Sequence, residues 1–183
     1  LHSSSYRHPQ ALPEGGVIVI GSGSSGSQIA DELLRSGRKV WLSIGPHDRP
    51  PRRYRGRDFV WWLGVLGKWN MTTPDPKAEH VTIAVSGAHG GHTVDFRTYA
   101  ERGMMLLGRA EGFDQGIMRF APDLHDNLLR GDQNYLSVLD EADAYVKAHH
   151  LDLPDDPEAR VIGPLPDCVR HPLHELDLAR EGI

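Results

Sequence analysis

Residues 17–30 read Val-Ile-Val-Ile-Gly-Ser-Gly-Ser-Ser-Gly-Ser-Gln-Ile-Ala, and no other stretch restricts the fold as much. Four β-branched residues predict a buried strand, the glycines predict a turn of the form G-x-G-x-x-G, and a helix start follows. In that order, strand then turn then helix, the glycine pattern acquires meaning. Gly21 lets the chain leave the strand sharply, Gly23 lets the backbone approach a diphosphate, and Gly26 lets the helix pack closely on the strand. Unpaired N–H groups and the helix dipole favour an anion at this end. The expected ligand is a dinucleotide.

A string of Gly and Ser between polar segments would be a flexible linker. Here Ile29, Ala30, Leu33 and Leu34 continue at helical spacing, Gly37 closes the helix, and Lys39 to Ser43 supply the next strand. A serine nucleophile elbow would need G-x-S-x-G, which this segment lacks. The βαβ unit predicts an α/β, Rossmann-like fold: a mainly parallel sheet with helices on both faces.

At 183 residues, 39% of them hydrophobic and 25% charged, the chain suits one ordinary domain. No apolar run reaches the ~20 residues of a membrane span, and the first residues have no signal-peptide layout. A lone cysteine, Cys168, excludes an intrachain disulfide framework and makes the cytoplasm the expected compartment. The net charge of −5 argues against a general nucleic-acid partner. Positive charge gathers early, with nine Lys and Arg against five Asp and Glu in residues 1–60, whereas residues 121–183 carry five against fourteen. The first residue is Leu and the chain stops just after a helical-looking segment, which suggests a piece of a longer protein.

Residues 1–16 read as a turn-rich lead-in and hinge, and 17–151 as the nucleotide-binding domain. Residues 44–57 form a basic loop, and Asp58 predicts an N-cap for a short aromatic helix to Leu66, with a strand as the competing reading. Residues 67–91 read as an insertion, in which Val81 to Val85 suggest a strand. A helix is expected over Thr93 to Arg102, and strands over Met104 to Leu107 and Ile117 to Phe120. Asp123 predicts a helix ended by Gly131, and Asp132 a second one to His149. Residues 152–166 look like a linker, and Leu173 to Arg180 like a return helix.

An NAD-selective site places an acid ~20 residues past the glycines, where this chain has Trp41-Leu42-Ser43. A serine tolerates a ribose 2′-phosphate, and the following loop offers Arg49, Arg52, Arg53, Arg55 and Arg57. Guanidinium forks bind phosphate oxygens in pairs. The expected cofactor is NADP (NADPH), with Gly21, Ser22, Gly23, Ser24, Ser25, Gly26 and Gln28 around the diphosphate. Ser43, Arg49, Arg52 and Arg53 are the candidates for the adenosine end. A solvated basic loop or a docking surface remains the competing reading of those arginines. Eleven histidines show no H-E-x-x-H spacing, and no metal is expected. No catalytic acid or base stands out.

Leu1-His2-Ser3-Ser4-Ser5-Tyr6-Arg7 resembles the end of the identifying motif of flavin-containing monooxygenases, which a second, NADPH-binding glycine turn follows. Gly26 to Leu33 looks like the helix of that domain. Gly90-Gly91-His92-Thr93-Val94-Asp95 and the arginine-rich stretch resemble a bacterial branch of these flavoprotein oxidoreductases. The resemblance implies hydride transfer from NADPH to an FAD carried by a separate domain, with reduced flavin oxygenating a small organic substrate. It places His2 and Tyr6 at a hinge and residues 152–183 on the return to the FAD domain. On this view the piece alone binds NADP and turns over nothing. A flavin-dependent NAD(P)H reductase without oxygenation, and a non-catalytic nucleotide-binding or docking module, are the competing readings.

Overall fold

The computed structural model describes residues 1–72 and 82–183. Its strands are β1 (Val17–Ile20), β2 (Val40–Ser43), β3 (Met105–Leu107), β4 (Ala110–Asp114), β5 (Ile117–Phe120) and β6 (Glu175–Asp177). Two-residue pairings also form in the loops. The helices are α1 (Ser24–Arg35), α2 (Phe59–Val65), α3 (Phe96–Glu101), α4 (Leu124–Ala148), α5 (Asp167–Arg170) and α6 (Leu178–Glu181). β1, β2 and β3 make a parallel sheet in that order, and β6, β5 and β4 make an antiparallel one. The architecture is mixed α/β and Rossmann-like.

Alternation along the parallel strands divides the core. Val17, Val19, Val40, Leu42 and Leu106 pack with Leu33 of α1, Phe96 and Tyr99 of α3, Leu128 of α4 and Val169 of α5. Ile18, Trp41, Met105 and Leu107 face the other way, onto Phe120 and Leu176 of the antiparallel sheet and Leu178 of α6. This two-sided burial is what a βαβ sheet requires. A third cluster joins Tyr54 and Trp62 to Tyr135, Leu139 and Ala142 of α4.

Several local expectations hold. α1 stops at Arg35, and Gly37 turns the chain with φ +83°. The Asp58 carboxylate accepts from the Val60 N–H at 3.0 Å, capping α2. α3 starts later than expected because Asp95 caps it, accepting from the Arg97 N–H. Among the described residues of the insertion, Thr82–Ile83 pairs in parallel with His47–Asp48, and Ser86 bridges His92. Val81, and Pro74 and Pro76 with it, lie outside the described residues.

Two expectations are corrected. Gly131 does not end a helix, and Asp132 does not start one: α4 is continuous. A Cβ on Gly131 would lie 2.5 Å from Nε2 of buried His47, so glycine here admits a ring from another segment. Asp132 is buried too, bound by two arginines: Arg49 Nη2 donates to Oδ1 at 2.7 Å, and Arg97 Nη2 to Oδ2 at 2.6 Å. The return helix also yields to a strand, β6, whose Leu176 points inward between exposed Glu175 and Asp177. Residues 152–166 do carry little regular structure, but Leu153, Ala159 and Ile162 pack on the Tyr54–Trp62 cluster, so they do not hang free.

The buried Arg49–Asp132–Arg97 cluster generates a stability prediction. Asp132→Ala leaves two guanidinium groups buried without their shared carboxylate and should destabilise the fold by about 3–5 kcal/mol in chemical denaturation. The exposed pair Arg119–Glu175 should cost less than about 1 kcal/mol when Arg119 is truncated.

His47 supplies a second one. Burial holds its imidazole below the ordinary value of 6.5, reinforced by Arg49 and opposed by the Gly45 carbonyl. The unfolded chain therefore takes up this proton first, so His47 contributes full stability above that value and loses it as pH falls further. Comparing unfolding at about pH 7 and about pH 5, His47→Gln should show a smaller loss than the parent chain.

Candidate functional site

β1 ends at Ile20, and Gly21 takes φ +98°, a conformation that L side chains rarely adopt. The Gly21 N–H still bonds the Ser43 carbonyl at 3.0 Å, which extends the β1–β2 ladder by one residue. Gly23 is the N-cap of α1, in an extended conformation and with no side chain capping the helix. The first helical hydrogen bond runs from the Ser27 N–H to the Gly23 carbonyl at 2.8 Å. The amides of Ser24, Ser25 and Gly26 precede it and are the helix's open donors. A Cβ on Gly26 would sit 1.9 Å from the Gly21 carbonyl oxygen, so the helix rests directly on the turn.

Segment 82–85 runs past this turn. A Cβ on Gly23 would meet the Thr82 Cγ2 methyl at 2.4 Å. The Ser24 hydroxyl donates to the Ile83 carbonyl at 3.0 Å, and Gln28 Nε2 to the Val85 carbonyl at 3.4 Å. The Ser27 hydroxyl folds back on the Gly23 carbonyl at 2.9 Å. Ser25 is exposed, whereas Ser22 is buried and its hydroxyl has no partner among the described residues.

The turn lies between two cavities. A cleft of about 970 Å³ follows the outer edge of β1, bounded by Tyr6, Leu12, Phe113 and Met118. β1 has no strand partner on that edge among the described residues. The smaller cavity, about 400 Å³, opens at the carboxyl ends of β1, β2 and β3 and is lined by Ser22, Gly45, Arg109 and Arg130. Ile20, Gly21 and Thr82 border both.

The candidate adenosine residues are scattered. Ser43 is buried at the end of β2, beside the smaller cavity. Its hydroxyl donates to the Gly108 carbonyl at 2.9 Å and accepts from the Ala110 N–H at 3.0 Å. Arg49 is buried on Asp132, with its guanidinium 4.7 Å from the centre of the Tyr135 ring. Arg52 pairs with Asp58 at 2.9 Å and packs on Gly91. Arg53 is exposed on a two-residue pairing with Asp58. Arg55 binds Asp143 and Asp155, and Arg57 lies over the Trp61 ring. The basic loop thus joins the long helix α4 and the segment after it. Burial pushes Asp143 up, but hydrogen bonds from Arg160, Arg55 and Tyr54 hold it below the ordinary carboxylate range.

Sequence reasoning passed over Arg109 and Arg130, because neither belongs to a charge run or follows β2 directly. His2 caps the first short turn, accepting from the Ser4 N–H, and the Tyr6 hydroxyl donates to Glu32 of α1 at 2.9 Å. Burial pushes the Cys168 thiol up. Among the described residues no three His, Cys, Asp or Glu side chains gather to hold a metal, and no helix is long and apolar enough to cross a membrane.

Residues 1–47 match the flavin-binding monooxygenase-like family. An uncharacterized oxidoreductase, CzcO-like, of Geobacillus kaustophilus is 42% identical over 72 residues, which are 39% of this chain and 20% of the relative. Uncharacterized oxidoreductase CzcO of Bacillus subtilis is 36% identical over 67 residues, 37% of this chain and 19% of that one. Flavin-containing monooxygenase 1 of the dog, Canis lupus familiaris, is 48% identical over 42 residues, 23% and 8% respectively. The chain matches about a fifth of the length of its bacterial relatives. No solved structure matches it.

The contact of Gly26 with the Gly21 carbonyl sets one expected outcome. Gly26→Ala must force α1 off the turn and should destabilise the fold by about 1–3 kcal/mol. Gly112→Ala, where a Cβ meets nothing within 4 Å, should leave the unfolding midpoint unchanged.

Proposed function

We propose that this chain is the NADPH-binding part of an oxidoreductase related to the flavin-binding monooxygenase-like proteins. The observation that carries this reading is the bare glycine turn at the carboxyl end of a parallel sheet, between two cavities that both touch Gly21. Open α/β sheets bind ligands outside the carboxyl ends of their strands, and an uncapped helix start accepts anionic oxygens. With Thr82 moved aside, the turn suits a diphosphate: Gly21, Gly23 and Gly26 carry no Cβ, and no side chain takes the first amides of α1. The amides of Ser24, Ser25 and Gly26 would hold the diphosphate. The cavity under β2 would take the adenosine half, and the cleft along β1 would lead the other half away.

When bound, such a nucleotide supplies a hydride donor, and a flavin held outside this chain would receive the hydride. This chain's contribution is to bind and orient. Gly21 and Gly26 set the turn against the strand, Ser22 and Gly45 shape the adenosine side, and Tyr6 fastens the lead-in segment to α1 through Glu32. Thr82 and Ile83 stand over the turn and must shift for a diphosphate to reach Gly23. Similarity to proteins whose names specify oxidoreductase and monooxygenase activity supports the chemistry assigned to the whole protein.

The test is an NADPH titration followed by backbone amide NMR. The largest shifts are expected at Gly21 to Gly26. Ser25→Asp puts a carboxylate in the first turn of α1, where it favours the helix by about 0.3–1 kcal/mol, so the fold should persist while affinity falls by ~10-fold or more through repulsion of the diphosphate. NADPH shifts centred elsewhere, or equal affinity in Ser25→Asp, would overturn the reading.

A further inference from the structure

We infer that the free edge of β1 is a docking slot for one more parallel strand. Its occupant is an extended run of β-branched residues of the same polypeptide, entering beside Gly182 and Ile183. The inference does not depend on any nucleotide.

The make-up of β1 is the first argument. Val17-Ile18-Val19-Ile20 is an unbroken β-branched run, typical of a parallel strand buried on both faces. β2, which has a strand on either side, is buried along its whole length, whereas Val17 to Val19 are half-buried and Ile20 is 52% exposed. Natural sheet edges are guarded by a charge, a proline or a bulge. β1 has none of these.

The second argument is a pairing already begun on the free side. Val17 and Gly21 donate their N–H groups to Lys39 and Ser43, toward β2. Alternation then turns the N–H and carbonyl groups of Gly16, Ile18 and Ile20 the other way. There the Gly16 N–H is taken by the Gly182 carbonyl at 2.7 Å. In a parallel ladder that bond sets Ile183 opposite Gly16, and every second residue after it opposite Ile18 and then Ile20. The Ile183 side chain fits this register. It lies 3.4 Å from where a Cβ on Gly16 would stand and packs with Ile18 and Trp41.

The cleft, finally, has the shape for a single strand. Tyr6, Leu12 and Ile29 wall one face and pack with the α1 core, while Met118, Leu178 and Ile183 wall the other and pack with the antiparallel sheet. Apolar walls on both faces call for apolar side chains on both faces of the occupant. A second copy would bring its own helices and hairpin against those walls. Because Gly182 starts the ladder, the same polypeptide is the source, and the bacterial relatives, of which this chain matches about a fifth, run well beyond such a match. The strand covers the cleft beside Val17 to Ile20 and leaves open its mouth at Gly21 to Gly26. With strands on both sides, the carboxyl end of β1 becomes the point where strand order reverses, which is where such sheets bind ligands.

Amide hydrogen exchange tests this on the parent chain and on one lengthened after Ile183 by Val-Thr-Val-Ile-Val and a lysine tail, both at concentrations where light scattering shows a monomer. Exchange at Ile18 and Ile20 should slow by ~10-fold in the lengthened chain, because each amide gains a hydrogen bond. Proline at the first and third added positions, whose N–H groups would reach the Gly16 and Ile18 carbonyls, should erase the slowing. Proline at the second and fourth, whose N–H groups face away, should keep it. Unchanged exchange at Ile18 and Ile20 on lengthening, or equal loss with both proline pairs, overturns the slot. Slowing in the parent chain that grows with its concentration assigns the edge to a second copy and overturns it too.

Discussion

One buried carboxylate ties a loop and two helices together. Asp132, buried on α4, receives Arg49 from the loop after β2 and Arg97 from the first turn of α3. A single negative charge between two buried positive ones is stable only with close, multiple hydrogen bonds, and four of them form here. The consequence is positional. One residue earlier, Gly131 receives the His47 ring, and His47 follows directly on Gly45-Pro46 at the mouth of the smaller cavity. One residue earlier again, Arg130 reaches that cavity.

The turn was legible because all of its determinants are local. Gly21, Gly23 and Gly26 are fixed by contacts with the strand and helix on either side, and the residues flanking them declare the strand and helix by composition. Gly37, Asp58 and the strand over Met104 to Leu107 belong to the same class. The basic loop was not legible, since its charges are matched across long stretches of chain: Arg49 to Asp132 and Arg55 to Asp143. Gly131 deceived for the same reason. A glycine after a helical stretch reads as a stop signal, but here it makes room for an imidazole more than eighty residues earlier. In β6, the three residues Glu-Leu-Asp alternate too briefly to outweigh helical neighbours, and only the free edge of β5 makes them a strand.

Segment 82–85 adds a second level of control on the turn. Its backbone carbonyls occupy the side chains of Ser24 and Gln28, and the Thr82 methyl lies against Gly23. Its inner end is anchored, with Ala84 buried in the core and its N–H on the Asp48 carbonyl at 2.7 Å, whereas Thr82 and Ile83 stay exposed above the turn.

Among the described residues, β1 is bonded to a neighbouring strand along one side only. The amides of Val17 and Gly21 donate to Lys39 and Ser43, and the two-residue rhythm of a parallel ladder turns those of Ile18 and Ile20 toward the cleft. Within one short strand, then, deuterium uptake should run at two speeds, residue by residue. The fast amides would report whatever backbone comes to lie beside them, in the way that a half-closed zipper shows which teeth still await a partner.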